Sequence, residues 1–365
     1  MRPAFSSTRQ AAAFALMLLV LVLSPALAKK FQPPRETIYS SIWWVWGDFP
    51  YIDGQIFREK GDVDIAFLGA SHLWAGFDTP AIQEQLSQKR ARPAVARTLA
   101  WAWPGYEPLY AISRDLMDHR RVRMLVFDDD CGQSNEPHPL VTRLFRFGED
   151  TPAWDSLPTP FKAEYYYASI VGMPRNLLAM VRPNLPTDLN ARSYWEIHAH
   201  APNLAARLGS IRDQMGFVDA EGAPTPFVPF TPDNGVQPSD VCIYSPETKS
   251  KFAFSSAGVP PMQLYYARKV AALARQHGCK LVVVHIPTFD ERRSTVISMP
   301  INWADALQTD ITMVGIPPAT MFKGLSDDEI RRLYSNALHL NENGQDYFTT
   351  LMTPTLLKIY ESQNP

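Results

Sequence analysis

The chain has 365 residues, 46% hydrophobic and 20% charged, with a formal net charge of −2, 18 glycines and 32 prolines. That composition is globular and excludes collagen, coiled coil and wholesale disorder, and the length suits one large domain or two. There is no basic excess to grip phosphates, which argues against a nucleic-acid partner.

At the N-terminus, Arg2 and Arg9 precede an uncharged run from Ala11 to Leu23, followed by Ser24-Pro25 and Ala26-Leu27-Ala28 ahead of Lys29-Lys30. This charged, apolar, A-x-A order is that of a secretory signal. Residues 1–28 read as a signal peptide, with the mature chain starting near Lys29, or as an uncleaved anchor. Ala11–Leu23 is only 13 residues and counting on to Ala28 gives 18, against the ~20 that span a bilayer. Either way the body, residues 29–365, is expected to be exported to the periplasm or beyond, as one domain.

The body then alternates. Val63–Leu68 is a β-leaning run stopped by Gly69, and Thr79-Pro80 opens a helix over Ala81–Arg90. Ala94–Leu99 is a second short strand, Tyr106–His119 is helical, and Val122–Phe127 is a third strand running into Asp128-Asp129-Asp130. From Pro261 a helix runs to about Gln276 and ends at Gly278; Lys280–Ile286 is a strand closed by Pro287, and Asp310–Val314 is a fifth. Ser326 followed by Glu329 is a capping box, and a last helix covers about Gln345–Tyr360. Short apolar strands alternating with helices predict a three-layer α/β/α domain around a parallel sheet. Residues from about 140 to 255 interrupt it as a proline-rich insertion, with helical patches at Phe161–Met180 and Ala201–Met215.

Cys131, Cys242 and Cys279 show no C-x-x-C spacing, so a zinc finger is not expected, and their pairing is open. His198 and His200 flank Ala199 without a third ligand in view, and no metal or other cofactor is assigned.

In parallel sheets ligands bind beyond the carboxyl ends of the strands. The first strand delivers Gly69-Ala70-Ser71-His72, a serine on a tight strand-to-helix turn. Near the C-terminus, Asn336-Ala337-Leu338-His339-Leu340-Asn341 lies in a loop between two helices, from which His339 can return to the strand ends as a general base. His72, beside the serine, is a second candidate for a base or substrate contact and reads first as a structural or rim residue, and His138, in a loop beyond the third strand, is a candidate substrate contact. Trp43, Trp44 and Trp46 read as core. Trp74, Trp101 and Trp103 fall where a sugar ring could stack.

Gly69-Ala70-Ser71, together with His339-Leu340-Asn341 and Gly344, resembles the SGNH/GDSL hydrolase superfamily, in particular its exported branch associated with polysaccharide O-acetylation. The resemblance covers about 60–135 and 260–362. It implies a flavodoxin-like sheet, Ser71 as nucleophile and His339 as base, with position 336 orienting the histidine, and an esterase or O-acyltransferase acting on acyl esters of a polysaccharide or small molecule, possibly beside a membrane acyltransferase. Two departures stand out. Position 336 is Asn where the family has Asp, and the family's Gly-x-Asn-Asp block is replaced by Phe127–Asn135. Gly105 and Asn135 are the expected oxyanion groups in place of the family's own, and Asp128, Asp129 and Asp130 are candidates for the missing carboxylate. The alternative is an SGNH-like fold without chemistry that binds glycan or a membrane partner.

Overall fold

The computed structural model describes residues 7–30, 34–40, 42, 47, 49–90, 92–130, 137–144, 162–163 and 227–362. Contacts divide the chain into two compact units, Met1–Ile42 with Glu136–Leu185, and Trp43–Asn135 with Pro186–Pro365. The first contains the helices Thr8–Lys30 and Arg35–Ser40 and the single turn Val141–Leu144. Thr8–Lys30 takes in the apolar run read as a signal, and its side chains are exposed from Ala12 to Leu23. Among the described side chains, which in this helix stop at Leu23, no helix is long and apolar enough to cross a membrane.

The second unit holds the sheet. Its strands are β1 (Val63–Gly69), β2 (Ala96–Ala100), β3 (Val122–Asp128), β4 (Cys242–Ile243), β5 (Phe252–Phe254), β6 (Lys280–Val284), β7 (Ile297–Met299) and β8 (Ile311–Gly315). Six form one sheet in the order β2-β1-β3-β6-β8-β4. The first five run parallel and β4 pairs antiparallel with β8 at the edge. All five strands expected from the sequence are present, each within two residues at either end, and the fold is α/β with a mostly parallel central sheet. β5 and β7 pair separately, in parallel.

Parallel strands need cover on both faces, and the side-chain alternation supplies it. All seven residues of β1 are buried. On one face Ile65, Phe67, Met124, Val126, Val282 and Val284 join a core with Ile82 and Leu86 of the helix Thr79–Arg90 and Phe348 and Met352 of the helix Glu342–Glu361. Burying a side chain of this kind is worth ~1.5–3 kcal/mol. On the other face Phe127 meets Tyr106 and Trp303 edge-on, at 5.8 and 6.3 Å between ring centroids. The helix Pro261–His277 closes at Gly278, whose φ of 62° is the left-handed value that a helix stop of this kind takes. At the amino end of β1, buried Asp64 is held by Arg90, by Tyr360 Oη at 2.7 Å and by the Val95 N–H at 2.9 Å. Its charge is accounted for structurally, far from the strand ends where ligands bind.

Of the insertion, Lys162 and Ala163 are helical and residues 227–255 are described. The remainder of the patches at Phe161–Met180 and Ala201–Met215, with His198 and His200, lies outside the described residues. Cys242 and Cys279 are free thiols, and burial pushes Cys279 up to about 12.

Candidate active site

The carboxyl ends of the strands are tied edge to edge. The Trp101 N–H donates to Gly69 O at 3.2 Å, Asp129 N–H to Val284 O at 3.2 Å and His285 N–H to Val314 O at 2.9 Å. The residues that follow β1, β2, β3 and β6 are therefore delivered along one edge of the sheet.

Ser71 emerges from the first of these ends. A Cβ added to Gly69 would lie 2.7 Å from both Asp128 Oδ1 and Leu73 Cδ2, so only glycine lets the end of β1 pass this close to β3. Ala70 is extended and Ser71 begins the short helix Ser71–Gly76, leaving its backbone N–H without an intrahelical acceptor.

His339 arrives from the other end of the chain on a rigid loop. Asn341 caps the last helix by accepting from the Gly344 N–H, and its amide donates to Arg332 O at 2.9 Å and Tyr334 O at 3.1 Å. A Cβ on Gly344 would collide with the Leu333 carbonyl. The Ser335 N–H donates to His339 O at 2.9 Å, and the Phe289 N–H to Ala337 O at 2.9 Å. These bonds hold His339 Nε2 2.9 Å from Ser71 Oγ, across 268 positions of sequence.

The histidine tautomer follows from Asn336. Its Oδ1 accepts the backbone N–H groups of Leu338 at 2.9 Å and His339 at 2.8 Å, and donors of that kind can face only the oxygen end of the amide. The same oxygen lies 3.0 Å from His339 Nδ1. Nδ1 must then carry the proton, which leaves the Nε2 lone pair to accept the Ser71 hydroxyl. Asn336 orients the base without adding charge.

Behind this pair lies a second row of titratable groups. His72 Nδ1 is 3.5 Å from Asp128 Oδ2, an ion pair too long for a hydrogen bond, and both side chains are buried. Burial pushes the Asp128 carboxyl up to about 6 despite His72. Burial alone would lower His72, but Asp128 first, then Asp130 and Asp129, carry it above its ordinary value. Next along the sheet, His285 Nδ1 is 3.0 Å from Asp129 Oδ2 and its Nε2 is 3.5 Å from Glu291 Oε1. Burial opposes the charge on His285, and the two carboxylates outweigh it. His285, Asp129 and Glu291 all border the cavity that holds Ser71 and His339. His285 falls inside the strand Lys280–Ile286 expected from the sequence; β6 ends at Val284, which leaves His285 at its carboxyl end.

Ligand atoms of His72, Asp128 and Asp130 come within 4.8 Å of one another, the set among the described residues with metal-type donors.

The cavity measures about 990 Å³, at the top of the ~300–1,000 Å³ usual for small-molecule sites. Trp103 lies at its edge, exposed, with φ at 65°. The other two tryptophans expected at the site are core residues. Trp74 and Trp101 are 8% and 3% exposed, and neither lines the cavity. Trp74 points inward from the helix Ser71–Gly76, and Trp101 is pinned by its bond to Gly69 O and its bridge to Gly47. Gly105 caps the helix Tyr106–His119 and is not among the described residues that line the cavity. Asn135 and Cys131 lie outside the described residues. His138 belongs to the first unit, where its Nδ1 accepts the Leu140 N–H at 3.1 Å. Neither the family models nor the curated proteins include a match to this chain.

Proposed function

We propose that the second unit is an SGNH-like serine esterase or O-acyltransferase, and the observation that carries this is the 2.9 Å contact between Ser71 Oγ and His339 Nε2. Ser71 Oγ attacks the acyl carbonyl as its proton passes to His339 Nε2. The tetrahedral intermediate collapses with loss of the alcohol, which takes that proton, and leaves an acyl ester on Ser71. Water or a sugar hydroxyl then gives its proton to His339 and attacks the acyl-serine, regenerating the free hydroxyl. The Ser71 N–H, at the start of its helix, is a backbone donor for the developing oxyanion. The parallel sheet, the glycine beneath the nucleophile and the histidine loop before the last helix support the SGNH-like reading. The charged, apolar, A-x-A leader supports export, and a cell-envelope or extracellular polysaccharide ester is the substrate class that goes with it; a membrane acyltransferase is the partner that would supply acyl groups.

Asn336 favours a second reading, an SGNH-like fold that binds glycan without chemistry. Intact-mass measurement after exposure to a serine-directed fluorophosphonate separates the two. One adduct on the parent protein and none on Ser71→Ala is expected; no adduct on the parent protein would leave the binding reading.

A further inference from the structure

Two strand ends bring together three side chains of metal-ligand type. His72 follows Ser71 beyond β1, and Asp128 and Asp130 stand at the end of β3, with one ligand atom from each lying within 4.8 Å of the others. His72 and Asp128 are 7% and 2% exposed. Both ring nitrogens of His72 and Oδ2 of Asp128 are buried atoms with no hydrogen-bond partner among the described residues. Buried polar atoms ordinarily find partners, and buried charges are paired or coordinate metals. Asp129, between the two carboxylates in sequence, shows the ordinary outcome, with His285 Nδ1 3.0 Å from its Oδ2.

The spacing of the unsatisfied pair is informative. His72 Nδ1 and Asp128 Oδ2 are 3.5 Å apart, beyond the ~2.7–3.2 Å of a hydrogen bond to nitrogen. Two ligands of one tetrahedral zinc ion, each bonded at ~2.0–2.2 Å, stand ~3.3–3.5 Å apart. The pair is too wide for a hydrogen bond and is spaced as two ligands of a single ion. The donor set selects the metal. Calcium takes six to eight oxygen ligands and magnesium a near-octahedral oxygen shell, whereas an imidazole with carboxylates suits zinc. His72 and Asp130 also line the cavity, so an ion held by them borders it, and water from the cavity can complete the shell.

We propose that His72, Asp128 and Asp130 form a zinc site beside the nucleophile, clamping the helix Ser71–Gly76 to the end of β3. The site is separate from the Ser71–His339 chemistry, no step of which runs through the ion, and its test reads binding rather than turnover.

The full-length protein, stripped with EDTA and exchanged into metal-free buffer, is titrated with ZnCl2 by calorimetry. Uptake of one equivalent is expected, with Ca2+ and Mg2+ binding at least about 100-fold more weakly. His72→Ala and Asp128→Asn each remove a ligand and weaken zinc binding by at least about 100-fold, the upper end of what is lost when a residue merely orients a ligand. Asp130→Asn weakens it by at least about tenfold. Ser71→Ala and the double variant His198→Ala/His200→Ala bind zinc as the parent does. Co2+ in place of zinc gives the visible absorption of a four-coordinate ion, and Asp128→Asn abolishes it. Urea transitions of the metal-free variants establish that each folds; Asp128→Asn and Asp130→Asn, which keep the side-chain shape, carry the test if His72→Ala does not fold. No zinc uptake by the parent, unchanged uptake by folded Asp128→Asn and Asp130→Asn, or uptake lost only in the His198/His200 variant would each overturn the proposal. Fluorophosphonate labelling of Ser71 is read separately. Labelling without zinc uptake removes the metal site alone, whereas zinc uptake without labelling removes the esterase reading alone.

Discussion

Asn336 Oδ1 sits 3.0 Å from His339 Nδ1 while also accepting two backbone N–H groups of its own loop. The position performs two tasks, closing the turn and setting the tautomer, and a neutral amide is enough for both. Lacking is a negative charge beside the imidazolium that forms when Ser71 attacks. Asn336→Asp keeps every acceptor contact and adds that charge. In a serine protease the reverse change costs ~10⁴ in kcat, chiefly through the wrong tautomer; here the tautomer is already correct, so the expected gain is smaller, about 10- to 100-fold. The pseudo-first-order rate of fluorophosphonate labelling, compared between the parent and Asn336→Asp, measures it. Unchanged or slower labelling would mean that charge at position 336 does not limit the reaction.

Gly69→Ala tests the close approach beneath the nucleophile. The new methyl would sit 2.7 Å from Asp128 Oδ1 and from Leu73 Cδ2, and 2.8 Å from Leu73 Cβ. Leu73 belongs to the same short helix as Ser71, so relief of the clash moves the helix that carries the nucleophile. Overpacking of this kind costs ~1–3 kcal/mol. Urea denaturation should show that loss, together with labelling slowed beyond what the lowered stability explains. Full stability would show that β1 and β3 can separate at low cost.

The parts legible in the sequence share a physical cause. The strands β1 and β6 carry apolar runs, Ile65–Leu68 and Leu281–Val284, with Gly or Pro close behind, because a doubly covered strand has no solvent face. Ser71 and His339 could be paired because each lies directly beyond a recognisable element. Three kinds of feature were not legible. β4, β5 and β7 span two or three residues, too short to show a period. Trp74, Trp101 and Trp103 look alike in sequence, and only packing decides that the first two are buried and the third lies over the cavity. His285 was hidden because the strand ends two residues earlier than its apolar run suggests, which turns a strand residue into a site residue.

The Asp129–His285 contact is expected to matter for stability as well as for the cavity. Asp129 and His285 are 7% and 4% exposed and 3.0 Å apart. Removing one partner of a buried pair leaves the other charge uncompensated, which is far more costly than replacing both. His285→Leu should therefore lose about 3 kcal/mol, and adding Asp129→Asn to it should recover part of that loss. A double-mutant cycle in urea measures the coupling. Additive losses would show that the two side chains are neighbours without energetic linkage.

The His72–Asp128 pair sets a pH dependence of stability with a definite sign. Burial lifts Asp128 to about 6, above the ~3.9 of an unfolded chain. Between those values the native state holds more protons than the unfolded state, so stability falls as the pH rises through this range. His72 is raised above its ordinary value by Asp128 against the effect of burial. Its contribution is fully present below the unfolded value of ~6.5 and disappears as pH rises through the folded value. Both groups act in the same direction, as does His285, which Asp129 raises against burial. The melting temperature should decline from pH 5 to pH 8, and Asp128→Asn should flatten the decline by removing both the buried acid and the partner that raises His72. A melting temperature that rises over this interval, or an equal slope in Asp128→Asn, would show that the pair is not the source of the dependence.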